Sequence, residues 1–420
     1  MKKALILIAL FLYLTGCSEE KPVGDYPVID VLNSIGKYQR VYCSDFFSSI
    51  ELIPLETEKE CLLLDDFPPA SILKDSLIFM RGDERTNIRL YAFDWSGKFL
   101  NQIGERGQGP GEYITLLDVF LNPDNLSIIV TDVYKLLEYD FSGKFIRSFR
   151  KPNVDGVSLS RCFYVEDNLF VGQINYDGKR RNKYCLFNQH GETVVCFPSH
   201  VFFDRVGTFA QTSDAALPPV RVDDRLYLKD FVNDTIYLLA NSNLQPAYVF
   251  RFGKYSFPIE YLESQQTPSV PLNTFLLMGI GIVGTPTCFF YEIRVPDVFS
   301  RPKAKPLLNP YTDQYISTDP VVYGIYNISQ NTNILLDTDS HLQKGIINDM
   351  NGGLSFFPKY YAGDNVVIDV WKAWEMKEML TEEYFAKQPI KDQAAHQQLR
   401  EILKNLKDDD NPVIVIAKLK

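Results

Sequence analysis

An all-β fold made of repeating four-stranded units is predicted by three features of the 420-residue sequence. A hairpin motif recurs at nearly constant spacing, short apolar runs precede each copy, and the chain finishes on a strongly apolar segment. Leu90-Tyr-Ala-Phe-Asp94-Trp-Ser-Gly97-Lys-Phe-Leu100 returns 46 residues later as Leu136-Leu-Glu-Tyr-Asp140-Phe-Ser-Gly143-Lys-Phe-Ile146. A third copy, Phe187-Asn188-Gln-His-Gly191-Glu192-Thr-Val194, lies 48 residues beyond the second. In each, the Asx side chain starts a type I turn by accepting from its own backbone, and glycine takes the left-handed position that follows. Ser76–Met80 and Leu126–Thr131 supply strands upstream, so each repeat carries about four strands, the content of a propeller blade. A lone blade cannot cover both faces. Radial stacking against neighbours accounts for the 29 Phe and 24 Tyr.

In chain order, the first element is an address. Met1-Lys2-Lys3 is basic, and Ala4 to Leu14 is an apolar run of 11 residues. That is too short to span a bilayer, which takes about 20 residues, and it fits the h-region of a signal peptide. Leu14-Thr15-Gly16-Cys17 resembles the bacterial lipobox, which implies cleavage before Cys17 and lipidation of its thiol. Residues 1–16 are therefore expected to be a signal peptide and 17–38 a lipid-anchored tether. Ser18 and the pair Glu19-Glu20, by the same resemblance, point to the outer membrane, on its periplasmic or its surface-exposed face. Loss of Lys2 and Lys3 moves the net charge from −10 to −12, and an anionic body of this kind argues against nucleic acid.

Residues 39–420 are assigned to a six-bladed β-propeller with an accessory C-terminal helix. The three hairpin copies mark blades one to three. Asp234–Leu239 with Ala247–Phe252 marks a fourth, Val321–Tyr326 a fifth and Val366–Trp371 a sixth. The final run, Pro412-Val-Ile-Val-Ile-Ala417, needs a partner, and Ser49-Ile-Glu-Leu-Ile-Pro54 is the expected one, closing the ring. Phe275–Val283 reads as a buried strand. Residues 263–319, rich in proline, exceed what a minimal blade needs and are expected to be an insertion, the first place to look for a ligand surface. Ala395, Leu399, Ile402, Leu403 and Leu406 fall on one face of a helix, placing a surface helix over 392–407.

Ile50–Thr57, Gly104-Glu-Arg-Gly-Gln-Gly-Pro-Gly-Glu-Tyr113, Gln245–Gly253, Leu354–Lys359 and Leu406–Val413 resemble segments of the NHL-like six-bladed β-propeller lipoproteins of Gram-negative envelopes. The likeness runs from about residue 40 to the end. It implies the fold and an envelope location, and little chemistry.

No catalytic, cofactor-binding or metal-ligating residue is singled out. Gly104, Gly107, Gly109 and Gly111 precede a strand pattern at Ile114–Leu121, so the helix N-terminus of a phosphate loop is missing. They read as the crossing between blades. His190, His200, His341 and His396 lack ligand spacing. Motifs for hydrolytic nucleophiles and zinc proteases are absent. Besides Cys17, the chain has Cys43, Cys61, Cys162, Cys185, Cys196 and Cys288. Cys185 and Cys196 flank the third corner. A three-residue loop with a glycine bulge would send them to opposite faces, so free, buried thiols are expected there. The expected function is a lipid-anchored, non-catalytic module, held to the membrane at Cys17, that binds a glycan, a peptide or an envelope protein. The alternative is a propeller hydrolase or lyase acting on polysaccharide.

Overall fold

Six four-stranded antiparallel sheets stand in a ring. The computed structural model describes residues 26–63, 69–73, 75–82, 88–175, 178–204, 218–230, 232–257, 277–294, 321–337 and 345–420. Blade 1 comprises Ser71–Leu73, Leu77–Gly82, Arg89–Asp94 and Phe99–Gln102, counted from the axis outward. Blade 2 holds Asp118–Asn122, Ser127–Thr131, Lys135–Tyr139 and Phe145–Arg150. Blade 3 holds Cys162–Tyr164, Leu169–Gln173, Asn182–Asn188 and Thr193–Pro198. Blade 4 runs Val220–Val222, Arg225–Leu228, Thr235–Ala240 and Asn243–Phe250; blade 5 runs Leu277–Gly284, Cys288–Arg294, Val321–Asn327 and Thr332–Leu336. Apolar clusters fill each seam between blades, as between Phe79 of blade 1 and Val119 and Ile128 of blade 2.

Blade 6 closes the ring with both ends of the chain. Tyr360–Gly363 and Val366–Trp371 form its inner half, Val413–Leu419 is its third strand, and Phe47–Pro54 is its outermost. The pairing runs Ile50 opposite Ala417 to Pro54 opposite Val413, as the two segments predict. Both faces of the last strand are covered, and this is why its sequence is continuously apolar. Ile414 and Ile416 join the core shared with blade 1, while Val413, Val415 and Ala417 join the core toward blade 5.

The corners of blades 1–3 are superimposable in their bonding. Asp94 Oδ1 accepts from the Ser96 and Lys98 amides at 2.8 and 3.0 Å. Asp140 Oδ1 accepts from Ser142 and Lys144, and Asn188 Oδ1 from His190 and Glu192, at 2.9–3.1 Å. Gly97, Gly143 and Gly191 all have positive φ, 88°, 84° and 75°. A second constraint is tertiary: a Cβ on Gly97 would lie 2.1 Å from the Pro54 carbonyl oxygen, and on Gly143 2.4 Å from that of Gln102. Each corner is wedged against the outer strand of the preceding blade.

The same corners correct the cysteine expectation. Cys185 and Cys196 form a disulfide, with Cα atoms 4.0 Å apart. The glycine turn does offset the strands by one, since Phe187 faces Thr193. A bulge then inserts Val194, so Leu186 faces Val195 and the two cysteines become direct partners. Blades 1 and 2 carry the identical irregularity, with Leu100 and Ile146 as the extra residues. All three are displaced outward, at 45%, 50% and 52% exposure. Cys43, Cys61, Cys162 and Cys288 are free and buried.

Three segments depart from the sequence expectations. The stretch 263–319 lies mostly outside the described residues, but it contains the first two strands of blade 5, Leu277–Gly284 and Cys288–Arg294, so that part is blade rather than insertion. Residues 26–38, assigned to the tether, already belong to the body. Val28–Ile29 adds a parallel strand to the outer edge of blade 4, and Tyr38–Gln39 does the same for blade 5. Finally, the surface helix, Gln393–Asn405, is the last of three in one connection of blade 6. Ala373–Met379 and Glu382–Phe385 precede it between the second and third strands of blade 6. Asp392 caps it by accepting from the Ala395 amide at 2.9 Å, and Leu399 is fully buried against the blade 6 core.

Candidate functional site

The second strand of five blades ends its apolar run at the same register position. Leu77-Ile-Phe-Met leads to Arg81, Ser127-Ile-Ile-Val to Thr131, Leu169-Phe-Val-Gly to Gln173, Arg225-Leu-Tyr-Leu to Lys229, and Cys288-Phe-Phe-Tyr to Glu292. Arg81, Thr131, Gln173 and Glu292 pair with Leu90, Leu136, Tyr184 and Tyr323, each four residues before a hairpin corner. The five therefore occupy equivalent places in five blades. Alternation along a strand turns these side chains to the face that packs on the next blade, the face of Phe79, Ile129, Val171 and Phe290. Beside them the inner strands of neighbouring blades pack against one another around the axis. Polar groups thus form a rim at one end of the propeller, set in the seams between blades, with Thr131, Gln173, Lys229 and Glu292 no more than 4% exposed.

Between blades 1 and 3 the rim is cationic. Arg81 Nη2 donates to the Leu117 carbonyl at 3.4 Å, and Lys151 Nζ donates to that of Ser160 at 3.2 Å. Arg161 Nε lies 3.2 Å from Asp118 Oδ2. Asp118 begins the inner strand of blade 2 and is 5% exposed. Burial pushes its carboxyl up to about 6, although Arg161, Arg81 and Lys151 all pull the other way. Thr131 Oγ1 donates to the Cys162 carbonyl at 3.1 Å, satisfying the open edge of the next inner strand. Desolvation raises the Cys162 thiol to about 12, so it is a packed apolar group rather than a nucleophile.

Between blades 3 and 4, Gln173 Nε2 is buried with no hydrogen-bond partner among the described residues. It borders a small cavity lined also by Phe163, Tyr184, Pro219 and Lys229, with room for about one water. Lys229 Nζ donates to the Asp230 carbonyl at 2.6 Å and to that of Asn233, and burial lowers its pKa. Between blades 5 and 6, Glu292 pairs with Lys359, whose ammonium lies 5.9 Å from the ring centroids of Tyr323 and Phe357. Asp369 joins from blade 6, accepting from the Phe357 and Val370 amides at 2.9 and 2.8 Å. Burial raises its carboxyl to about 6 against the pull of Lys359.

Most of the residues weighed from sequence lie away from this rim. Cys17 and His341 are outside the described residues. His190 is in the exposed third corner, His200 stacks on Tyr237, and His396 Nδ1 is 2.8 Å from the Asn351 carbonyl. The glycine-rich stretch is the crossing from blade 1 to blade 2, where Tyr139 donates to the Gly111 carbonyl at 3.0 Å. Among the described residues no group of three or more His, Cys, Asp or Glu is placed to hold a metal ion, and no helix is long and apolar enough to cross a membrane. Sequence reading passed over the rim, although its signal was present: a polar residue ends the second-strand run in five successive blades.

Comparison with known proteins follows the fold. The family described as Domain of unknown function (DUF4934) matches residues 26–418. None of the curated proteins matches. A crystal structure from Bacteroides fragilis, of a protein named as exported, has a TM-score of 0.63 at 17% identity, covering 94% of this chain and 99% of that one. A DUF4221 member from Bacteroides vulgatus gives 0.47 at 10% identity, with 89% and 97% covered. The PQQ-bound aldose sugar dehydrogenase of Streptomyces coelicolor gives 0.39 at 12%, with 89% and 99% covered.

Proposed function

The chain belongs to the DUF4934 family, and from that footing we propose that it is a lipid-anchored envelope propeller that binds a ligand or partner without transforming it. The observation that carries the reading is the polar rim, Arg81, Thr131, Gln173, Lys229 and Glu292, repeated in five blades at one end of the propeller. Buried polar groups cost stability unless satisfied, so a fold that places five at equivalent positions maintains them against that cost. A propeller mouth of this kind recognises glycans, peptides or proteins through convergent polar contacts on an apolar frame. The basic start, the apolar run and Leu14–Cys17 support anchoring in the outer membrane through Cys17. The exported protein of the same fold is in keeping with an envelope location.

Two measurements test the proposal. Metabolic palmitate labelling is lost in Cys17→Ala; label that persists removes the anchor from the reading. In a thermal-shift screen of glycans and peptides, a true ligand at 100 times its Kd adds about 2.7 kcal/mol. Stabilisation without product release supports a binding module. Turnover of a stabilising glycan, or a screen with no shift at all, overturns it.

A further inference from the structure

The outer strand of a blade is paired on one side only, so it frays first unless contacts beyond its own ladder steady it. In five blades those contacts are visible. The corners at Gly97, Gly143 and Gly191 wedge against the outer strands of blades 6, 1 and 2. A Cβ at each would lie 2.1, 2.4 and 2.6 Å from the carbonyl oxygens of Pro54, Gln102 and Arg150. Val28–Ile29 and Tyr38–Gln39 add parallel strands outside blades 4 and 5. Blade 3 has neither device among the described residues. Blade 4 turns its corner through Asn241 and Ser242 rather than glycine, and Thr193–Pro198 pairs with Asn182–Asn188 alone. Blade 3 is also the blade that carries the disulfide.

The ladder this disulfide crosses is the most interrupted of the outer ones. Its register shifts twice, between Asn182 and Tyr184 and between Leu186 and Phe187, whereas the others shift once or not at all. Three pairs remain between the two shifts, and Cys185 with Cys196 is the middle one. Of the residues in the outer strand only Phe197 is buried. Phe197 shares a core with Leu226, Leu228 and Leu239 of blade 4. A hold on this strand is therefore also a hold on the seam where Gln173 and Lys229 stand. Cys185 is fully buried, while Cys196 is half-buried on the outer strand.

We infer that the Cys185–Cys196 disulfide is a redox lock on the outer strand of blade 3. Oxidised, it stands in for the missing wedge or arm; reduced, it lets Thr193–Pro198 detach and the seam to blade 4 loosen. This holds whether or not the rim binds a ligand. The electrons come from a dithiol reductant. One of its thiolates attacks the Cys196 sulfur, the S–S bond breaks, and Cys185 leaves as a thiolate that takes up a proton. The second thiolate then displaces Cys196, which is protonated in turn, and the reductant departs as a disulfide. The bond joins residues 11 apart in sequence. Closing a loop of that order shifts the opening equilibrium by roughly a hundredfold.

The test is hydrogen–deuterium exchange, read by mass spectrometry on the full-length protein in detergent, before and after dithiothreitol. Reduction speeds exchange in Thr193–Pro198 at least roughly tenfold and leaves Phe99–Gln102 and Thr332–Leu336, outer strands of blades 1 and 5, unchanged. A Cys185→Ala/Cys196→Ala variant exchanges there as fast as the reduced protein and no longer responds to dithiothreitol. Should that variant not fold, the reduced wild type still decides the matter. Unchanged exchange in Thr193–Pro198 after reduction, or faster exchange spread alike over all the outer strands, overturns the lock. So does a disulfide that dithiothreitol leaves intact in the folded protein.

Discussion

At the scale of single residues, Asp118 is the group whose chemistry the fold changes most legibly. Its ordinary value of 3.8 rises to about 6 because burial outweighs three nearby cations. A carboxyl raised on folding favours the native state while protonated. Its contribution is full below about pH 4 and is lost as pH rises through 6, and it amounts to roughly 3 kcal/mol at most. Urea unfolding midpoints followed from pH 4 to 7 should show that slope in the native protein and a shallower one in Asp118→Asn. Equal slopes in the two proteins would assign the pH dependence to other groups. The cysteines teach a related lesson. Cys162, Gly172, Cys185 and Cys196 stand in one cross-strand row, yet only the last two are bonded, because the strand of Gly172 separates Cys162 from Cys185 and holds them beyond disulfide reach. The spacing of Cys185 and Cys196 was plain in sequence. Their pairing turned on one extra residue, Val194, which no local signal marks.

Elements repeat because their corners do two jobs. The Asx-x-x-Gly letters encode a turn, which sequence alone makes clear, but glycine is also required where the corner meets the preceding blade. Gly143 and Gly156 separate the two effects. Both have positive φ, 84° and 82°, but a Cβ on Gly156 meets nothing within 4 Å, while on Gly143 it strikes the Gln102 carbonyl. Gly156→Ala should therefore cost about 1 kcal/mol from backbone strain alone. Gly143→Ala should cost clearly more, about 2–4 kcal/mol, because blades 1 and 2 must move apart. Comparable unfolding free energies for the two would remove the wedge from the account. The motif fades after blade 3 for a visible reason. There the N-terminal arm takes over the outer edges, with Leu32 donating to the Arg251 carbonyl and Asp337 to that of Gln39 at 3.0 and 2.7 Å. Blades 4 and 5 thus need no glycine wedge, and their sequences are free to drift.

Across the whole molecule, closure decides stability. Val413–Leu419 pairs with the second strand of blade 6 on one side and with Phe47–Pro54 on the other. It also contributes to the cores on both faces. Removal of residues 412–420 should open the ring and abolish the cooperative unfolding transition seen by circular dichroism. A truncated protein that still unfolds in one sharp step would show that the other five blades hold together without the closure. The helices of blade 6 lean on the same strand pair, as Leu399 packs beside Phe47 and Val415, so their loss is expected in the same transition.

The sequence by itself determined the repeat, the number of blades, the identity of the closing strands and the C-terminal helix. These are written in turn chemistry and in apolar periodicity, which act over a few residues and survive without knowledge of neighbours. Only the tertiary structure decided which cysteines join, why glycine holds the corners, where the arm lies and which polar residues meet in the seams between blades. Each of those depends on contacts between distant segments, such as Glu292 with Lys359 or Asp118 with Arg161. A single bulged residue is enough to change which faces meet.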